Sequence, residues 1–424
     1  MTGDPGGPDG TGGGVHPVLG AGRVARAGSV PSTGPGPSSG ARRRSGFVDC
    51  PRPARASVPV RPGTSASARP ARRRPPPIEE FALRIVFAGT PQAAVPSLTA
   101  LLASGHEVAA VLTRPDAPVG RGRTLQGSPV AEVAREAGLE LLQPRTSRDP
   151  EFLRRLTEIA PQAGAIVAYG GLLPRPVLDV PVHGWVNLHF SLLPAWRGAS
   201  PVQSAVRYGD DVTGASTFRL EEGLDTGPVF GAVTEAIGPH DTAGDLLERL
   251  SRSGAGLLVA TLDGIADGSL QPVEQRLDTV TLTHKITVAD AQVDWQVPAL
   301  GVDRHIRALT PDPGAWTESS WGRLGLGPVR VTDSDTLPPG AIAAGKREVR
   351  VGTGTTDVVL GTVTAPGRRP MAAADWARGT RPGADDRFGP QADEQVLPLL
   401  GPAAVRDDGS GAGAQALPAG VSER

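Results

Sequence analysis

The 424 residues are enough for two or three domains, yet 56 Gly and 43 Pro exceed what packed helices and strands absorb, so part of the chain is expected to stay unfolded. A single cysteine (Cys50) excludes an intramolecular disulfide and a cysteine-based metal cluster, and the absence of an 18-residue apolar run excludes a transmembrane helix, so a cytoplasmic protein is expected. The net charge of −1 hides a split, because residues 1–80 hold 12 Arg against five acids and the remainder is acidic.

Residues 1–82 come first. Within 1–80 there are 29 Gly or Pro, runs such as Arg42-Arg43-Arg44 and Arg72-Arg73-Arg74, and no apolar periodicity. Such a stretch cannot bury enough surface to offset its ordering entropy. A basic arm, a transit peptide and an upstream stretch carried into the gene model are the readings open to it. Its Gly/Pro content opposes the amphipathic helix of a transit peptide.

At Leu83 the texture changes. The apolar run 83–88 ending in Gly89-Thr90-Pro91 predicts a buried parallel strand opening into a helix over 92–104, with Val95, Leu98, Leu101 and Leu102 on one face. A strand over 108–113 follows. Ser128-Pro129 reads as an N-cap with proline at N1, starting a helix to about Ala137. Helix 150–159 and strands 165–169 and 185–190 continue the alternation, which predicts a doubly wound α/β domain ending about residue 280. Runs 212–220 and 229–237 bracket a loop, and 242–267 is a long closing helix. Beyond it, short β-rich runs at 329–332, 349–353 and 357–363 predict a small barrel over 285–391. The aperiodic 392–424 is expected to be a disordered tail.

Three strand ends could carry chemistry. Gly89 lacks a GxGxxG context, so a tight strand-to-helix turn explains it. Asn187 and His189 lie two apart on a strand and face the same side. An amide donor beside an imidazole outlines an oxyanion-plus-base pair, against the plain alternative of a polar strand end. Asparagine occurs once in the chain, and Lys twice against 41 Arg, the mark of GC-rich coding, so this Asn has survived a bias that removes its kind. Asp225, 36 residues past His189, sits between glycines; a turn Asp capping its own backbone is the alternative. In 114–123 Gly and Arg alternate, as a solvated loop or a phosphate-binding one would.

Phe87-Ala-Gly-Thr-Pro91, Ala168-Tyr-Gly-Gly-Leu-Leu-Pro174, the run from Asn187 through Ser191-Leu192-Leu193-Pro194 to Arg197-Gly198, and Gly223-Leu-Asp-Thr-Gly227 follow in that order. Together they resemble the folate-dependent formyltransferases, most narrowly the branch acting on methionyl initiator tRNA, over about 83–388. The resemblance implies a Rossmann-like α/β domain followed by an OB-like barrel. It implies 10-formyltetrahydrofolate as formyl donor and initiator methionyl-tRNA as acceptor, without a metal. Catalytic roles fall on Asn187, His189 and Asp225, and folate contact on Ser191, Leu192, Leu193 and Pro194. The tRNA contacts fall on Arg121, Arg123 and Arg197, with the barrel surface cradling the tRNA. Thr124 and Leu125 stand where the branch commonly has further basic residues, and Phe190 where glycine is common. Alternatives are a relative using a nucleotide sugar or purine precursor, a formyltetrahydrofolate hydrolase, and a non-catalytic RNA-binding relative. The C-terminal segment and the basic loop favour tRNA, and the retained Asn187 opposes decay. Nothing in the sequence demands an oligomer, so a monomer is expected.

Overall fold

A computed structural model describes residues 82–119 and 124–389. The expected extension (but for Ala82), the expected tail, Arg121 and Arg123 lie outside the described residues.

Strand β1 (Arg84–Gly89) is apolar from Ile85 onward because both of its faces are covered there: Ile85 and Phe87 join one core, Val86 and Ala88 the other. A 3-10 turn at Gln92–Ala94 enters α1 (Val95–Leu102), where Leu98 and Leu101 are buried. Leu102, expected on that face, is instead 38% exposed, since one residue past Leu101 turns 100° around the helix. The helix also ends short of Gly105, as the Ser104 hydroxyl donates to the Leu101 carbonyl. After β2 (Glu107–Leu112), a small hairpin pairs β3 (Ala117–Val119) with β4 (Thr124–Gln126). In α2 (Pro129–Glu136) Ser128 accepts the Ala131 N–H at 3.0 Å, as its cap-and-proline signature predicts. Edge strand β5 (Glu140–Leu142) has no counterpart among the predicted elements. Asp149 caps α3 (Pro150–Ile159); β6 (Ala163–Val167) starts two residues early, and a short α4 (Arg175–Leu178) precedes β7 (Trp185–His189).

Next come a two-residue β8 (Arg197–Gly198), α5 (Pro201–Tyr208), β9 (Val212–Arg219) and β10 (Val229–Ala236). The 24-residue α6 (Ala243–Ala266) opens on a capping box between Thr242 and Asp245. Then β11 (Leu282–Thr283) pairs in parallel with β8.

The main sheet runs β10-β9-β7-β6-β1-β2-β5. β7 to β5 are parallel, and β9 and β10 run antiparallel at the edge. Helices α1, α2 and α6 cover one face, α3 and α4 the other, which is the doubly wound architecture expected. Its carboxyl-end crevice holds the site.

The C-terminal part begins with α7 (Ala299–Ala308), a helix the sequence pattern conceals. Strands β12 (Trp316–Thr317), β13 (Leu324–Leu326), β14 (Val329–Val331), β15 (Ile342–Ala344), β16 (Val349–Val351), β17 (Val358–Leu360), β18 (Thr362–Thr364) and β19 (Met371–Ala372) follow, closed by α8 (Ala373–Thr380). They form two four-stranded antiparallel sheets, β12-β13-β18-β19 and β14-β17-β16-β15. One continuous antiparallel pair of segments serves both: it pairs β13 with β18, bends at Gly327-Pro328 and Gly361, and pairs β14 with β17. A Cβ at either glycine would press on the opposite strand, so the corner needs both. The expected barrel is thus this pair of short sheets joined by strands that turn the corner. Among the described residues no helix is long and apolar enough to cross a membrane.

Candidate active site

Strand β7 ends at the crevice. Pairing Asn187 with Ile166 of β6 and His189 with Ser216 of β9 fixes the register that aims both side chains into one cavity of about 690 Å³. Asp225, from the loop between β9 and β10, lines it too.

His189 is 8% exposed, and its ring meets Phe218 edge-on at 6.4 Å. Its Nε2 lies 2.9 Å from the Trp196 carbonyl oxygen, which can only accept, so Nε2 carries hydrogen. That leaves Nδ1 as the nitrogen able to take up or release a proton. Nδ1 faces the Asp225 carboxylate at 3.7 Å. The same carboxylate oxygen accepts the Gly198 N–H at 2.8 Å. Among the described residues nothing hydrogen-bonds the Asn187 amide, which stays free to donate into the cavity.

The surrounding backbone is strained. Of the five described non-glycine residues with positive φ, Ala168 (+47°), Trp196 (+56°) and Asp225 (+51°) border the site. Conformations of this kind cost on the order of 1–3 kcal/mol each and cluster at functional sites. Gly198 adds a φ of +117°, and a Cβ there would strike the Thr283 carbonyl of β11. The segment after α6 straps this loop down: Trp196 N–H donates to the Thr281 hydroxyl at 2.8 Å and Arg197 N–H to the Thr281 carbonyl at 2.9 Å.

The opposite wall is the 168–174 loop together with 220–224. Thr90 of the Gly89-Thr90-Pro91 turn donates to the Tyr169 carbonyl at 2.8 Å, so that turn braces the wall rather than a dinucleotide. Burial raises the Tyr169 hydroxyl's pKa. Leu172 (91% exposed) and Leu224 (59% exposed) stand at the mouth as apolar lips.

Ser191, Leu192, Leu193 and Pro194 follow directly on the His189-Phe190 edge of the cavity, with Leu192, Leu193 and Pro194 half-buried. Ser191 is fully buried and donates to the Ala195 carbonyl at 2.6 Å, and the Leu193 N–H bonds the Ser216 hydroxyl. These bonds shape the turn behind His189, next to Phe190 in the cavity wall. Arg197, expected on tRNA, is 6% exposed, and its Nε and Nη2 donate to Gln275 Oε1 at 3.0 and 2.8 Å. Burial lowers its pKa and the Asp225 charge opposes that. It is internal scaffolding. The pattern reading missed Gly198, Gln275 and Thr281, whose partners lie 27 to 85 residues away. The 168–174 wall was visible only as a motif without a role.

An amide donor, an imidazole backed by a carboxylate and an apolar-lipped cavity at the carboxyl end of a doubly wound sheet define an acyl-transfer enzyme. The family pattern described as formyl transferase matches residues 83–262, and that of the formyl transferase C-terminal domain matches 285–381. The chain belongs to the formyl transferase family. It is 62% identical over 309 residues to the methionyl-tRNA formyltransferase of Streptomyces coelicolor, covering 72% of this chain and 100% of that protein. It is 59% identical over 308 residues to that of Thermobifida fusca, covering 72% and 99%. Solved structures share the fold at lower identity. The N-formyltransferase from Helicobacter canadensis, in complex with folinic acid and dTDP-3-aminofucose, matches with a TM-score of 0.51 at 16% identity over 66% of this chain and 98% of its own. HypX from Aquifex aeolicus, in complex with tetrahydrofolic acid, matches with a TM-score of 0.51 at 16% identity over 70% of this chain, which spans 47% of HypX.

Proposed function

We propose that this chain transfers a formyl group from 10-formyltetrahydrofolate to the α-amino group of methionyl initiator tRNA, with Asn187, His189 and Asp225 as the residues of the chemical step. The observation that carries this reading is the convergence of those three side chains on one cavity, with the Asn187 amide unpartnered. Identity to the methionyl-tRNA formyltransferases along their whole length supports the acceptor.

The cavity fits a flat donor: the apolar lips Leu172 and Leu224 suit its rings, and the 168–174 and 220–224 backbone offers polar groups to its edge. 10-Formyltetrahydrofolate supplies the formyl carbon and the nitrogen that leaves. Asn187 donates to the formyl oxygen as it becomes an oxyanion, an effect on the order of 10²–10³ in rate for one donor. His189 Nδ1 accepts the proton shed by the attacking amine and returns one to the departing nitrogen. Asp225 steadies the imidazolium formed between those events. Because no lysine, cysteine or serine nucleophile lines the cavity among the described residues, the amine attacks directly.

On the C-terminal part, the Arg323 guanidinium lies 3.8 Å over the Trp316 ring, beside Arg368, along a second cavity of about 550 Å³. A cation held on an aromatic face suits phosphate and base together, which supports this part as a tRNA surface. Arg121 and Arg123, which fall between β3 and β4 in the sequence, complete the proposed tRNA contacts. The test is formyl transfer from 10-formyltetrahydrofolate to initiator methionyl-tRNA, elongator methionyl-tRNA, free methionine and a nucleotide-linked amino sugar. Preference for the initiator tRNA is expected; transfer to the amino sugar alone would overturn the reading.

A further inference from the structure

Asp225 is held from two sides, and only one of them belongs to the segment that follows His189. In front, Gly198 N–H grips its carboxylate. Behind, the Gln275 amide donates from Nε2 to the Asp225 carbonyl at 2.8 Å and to the Gly227 carbonyl at 2.7 Å. Both bonds close on the turn where Asp225 takes its left-handed φ of +51°. Gln275 comes from the segment after α6, which Val273 anchors by reciprocal 2.8 Å bonds with Val229 at the start of β10. Its Oε1 in turn accepts from both Nε and Nη2 of the buried Arg197 guanidinium.

This chain of bonds has a direction. A cation donating to the amide oxygen draws electron density from the NH₂ and strengthens its donation to the two carbonyls. Arg197 has no direct hydrogen bond to Asp225 in the described structure, so beside its through-space charge interaction with that carboxylate its hydrogen-bonded hold on the turn passes through Gln275. A strained turn relaxes when its anchors are cut. Released, Asp225 swings its carboxylate off His189 Nδ1, where the separation is already 3.7 Å.

We propose that Gln275 is a positioning residue for formyl transfer: anchored by Arg197, its amide locks the Asp225 turn so that the carboxylate faces His189. The proposal rests on the catalytic reading of His189 and Asp225 given above.

The test separates the acceptor and donor ends of one side chain. Gln275→Glu keeps the size and the Arg197 partner but turns the donor end into an acceptor facing two carbonyls. Gln275→Met removes both ends at similar volume. Each is compared with wild type, with Asp225→Asn and with the double variants, by kcat, by KM for both substrates and by the pH dependence of kcat/KM. Two lost hydrogen bonds correspond to a fall of roughly 10- to 100-fold. The expected result is that fall in kcat for both variants, KM within about threefold, an altered acidic limb of the pH profile, and little further loss in the Asp225→Asn background. Full kcat with an unaltered profile in whichever variant folds would overturn the proposal. So would a loss that adds fully to that of Asp225→Asn, which marks general loosening. Unimpaired activity of Asp225→Asn would instead overturn the catalytic reading on which it rests.

Discussion

Gly198→Ala strikes the point where the loop after β7 meets the strap that follows α6. Gly198 has a φ of +117° and pairs with Thr283, and its N–H holds the Asp225 carboxylate at 2.8 Å. An added Cβ has two outcomes. If the backbone stays, the strain costs on the order of 1–3 kcal/mol, and the methyl still overlaps the Thr283 carbonyl. If the backbone moves, the charge-assisted bond to Asp225 is lost, which costs about 1.5–3 kcal/mol. Either route destabilises by about 3 kcal/mol, and the second also frees the carboxylate facing His189. Urea unfolding with a fixed m-value reads the first quantity and steady-state kcat the second, for which a fall of about tenfold or more is expected. A variant with wild-type midpoint and kcat would refute the reasoning, because neither the strain nor the Asp225 contact would then matter.

Gly256→Ala is the matched control: in mid-α6 its Cβ meets open space, so a gain of roughly 0.5–1 kcal/mol is expected in the same unfolding series, and a loss would contradict the packing described. His305 gives a pH prediction. Burial, aided by the Arg207 charge and opposed by Asp290 and by the Ala291 and Gln292 backbone, lowers its pKa to about 4. It is neutral when folded and protonated on unfolding below about 6.5. The unfolded chain therefore binds the extra proton between pH 4 and 6.5, so stability falls as pH drops through that window, by about 3 kcal/mol from this residue. His305→Leu should flatten that slope in urea midpoints taken across the window; an unchanged slope would contradict it.

How much of this was legible in the sequence varies by element. The β-α-β alternation was read correctly because buried parallel strands are apolar without a break, as β1 is from Ile85 on, and because Ser128-Pro129 and Thr242 mark helix starts chemically. Helix α7 escaped for the opposite reason. It is buried on nearly every side and hides an internal ion pair, Arg307 Nε to Asp303 Oδ2 at 2.8 Å, so its charged residues mask the apolar period. Arg307 also donates to the Asp241 carbonyl at 2.9 Å, which ties α7 to the loop before α6. At the site, Asn187 and His189 were visible because a strand's period of two is local. Asp225 was visible through its glycine setting. What no local pattern carries is which carbonyl Gln275 reaches across 50 residues, or that Arg197 turns inward. An arginine beside a catalytic motif looks like a phosphate contact until its burial is known. Nor does a local pattern show that the Ser191 hydroxyl donates to the Ala195 carbonyl within its own turn.

The most direct test of the central claim is single-turnover formyl transfer to initiator methionyl-tRNA by Asn187→Ala beside wild type, with binding of both substrates measured separately. The account predicts a rate lower by about 10²-fold or more, with an unchanged fold and nearly unchanged binding. A rate close to wild type would contradict it, because the oxyanion would then be stabilised by some group other than the amide that β7 presents to the cavity.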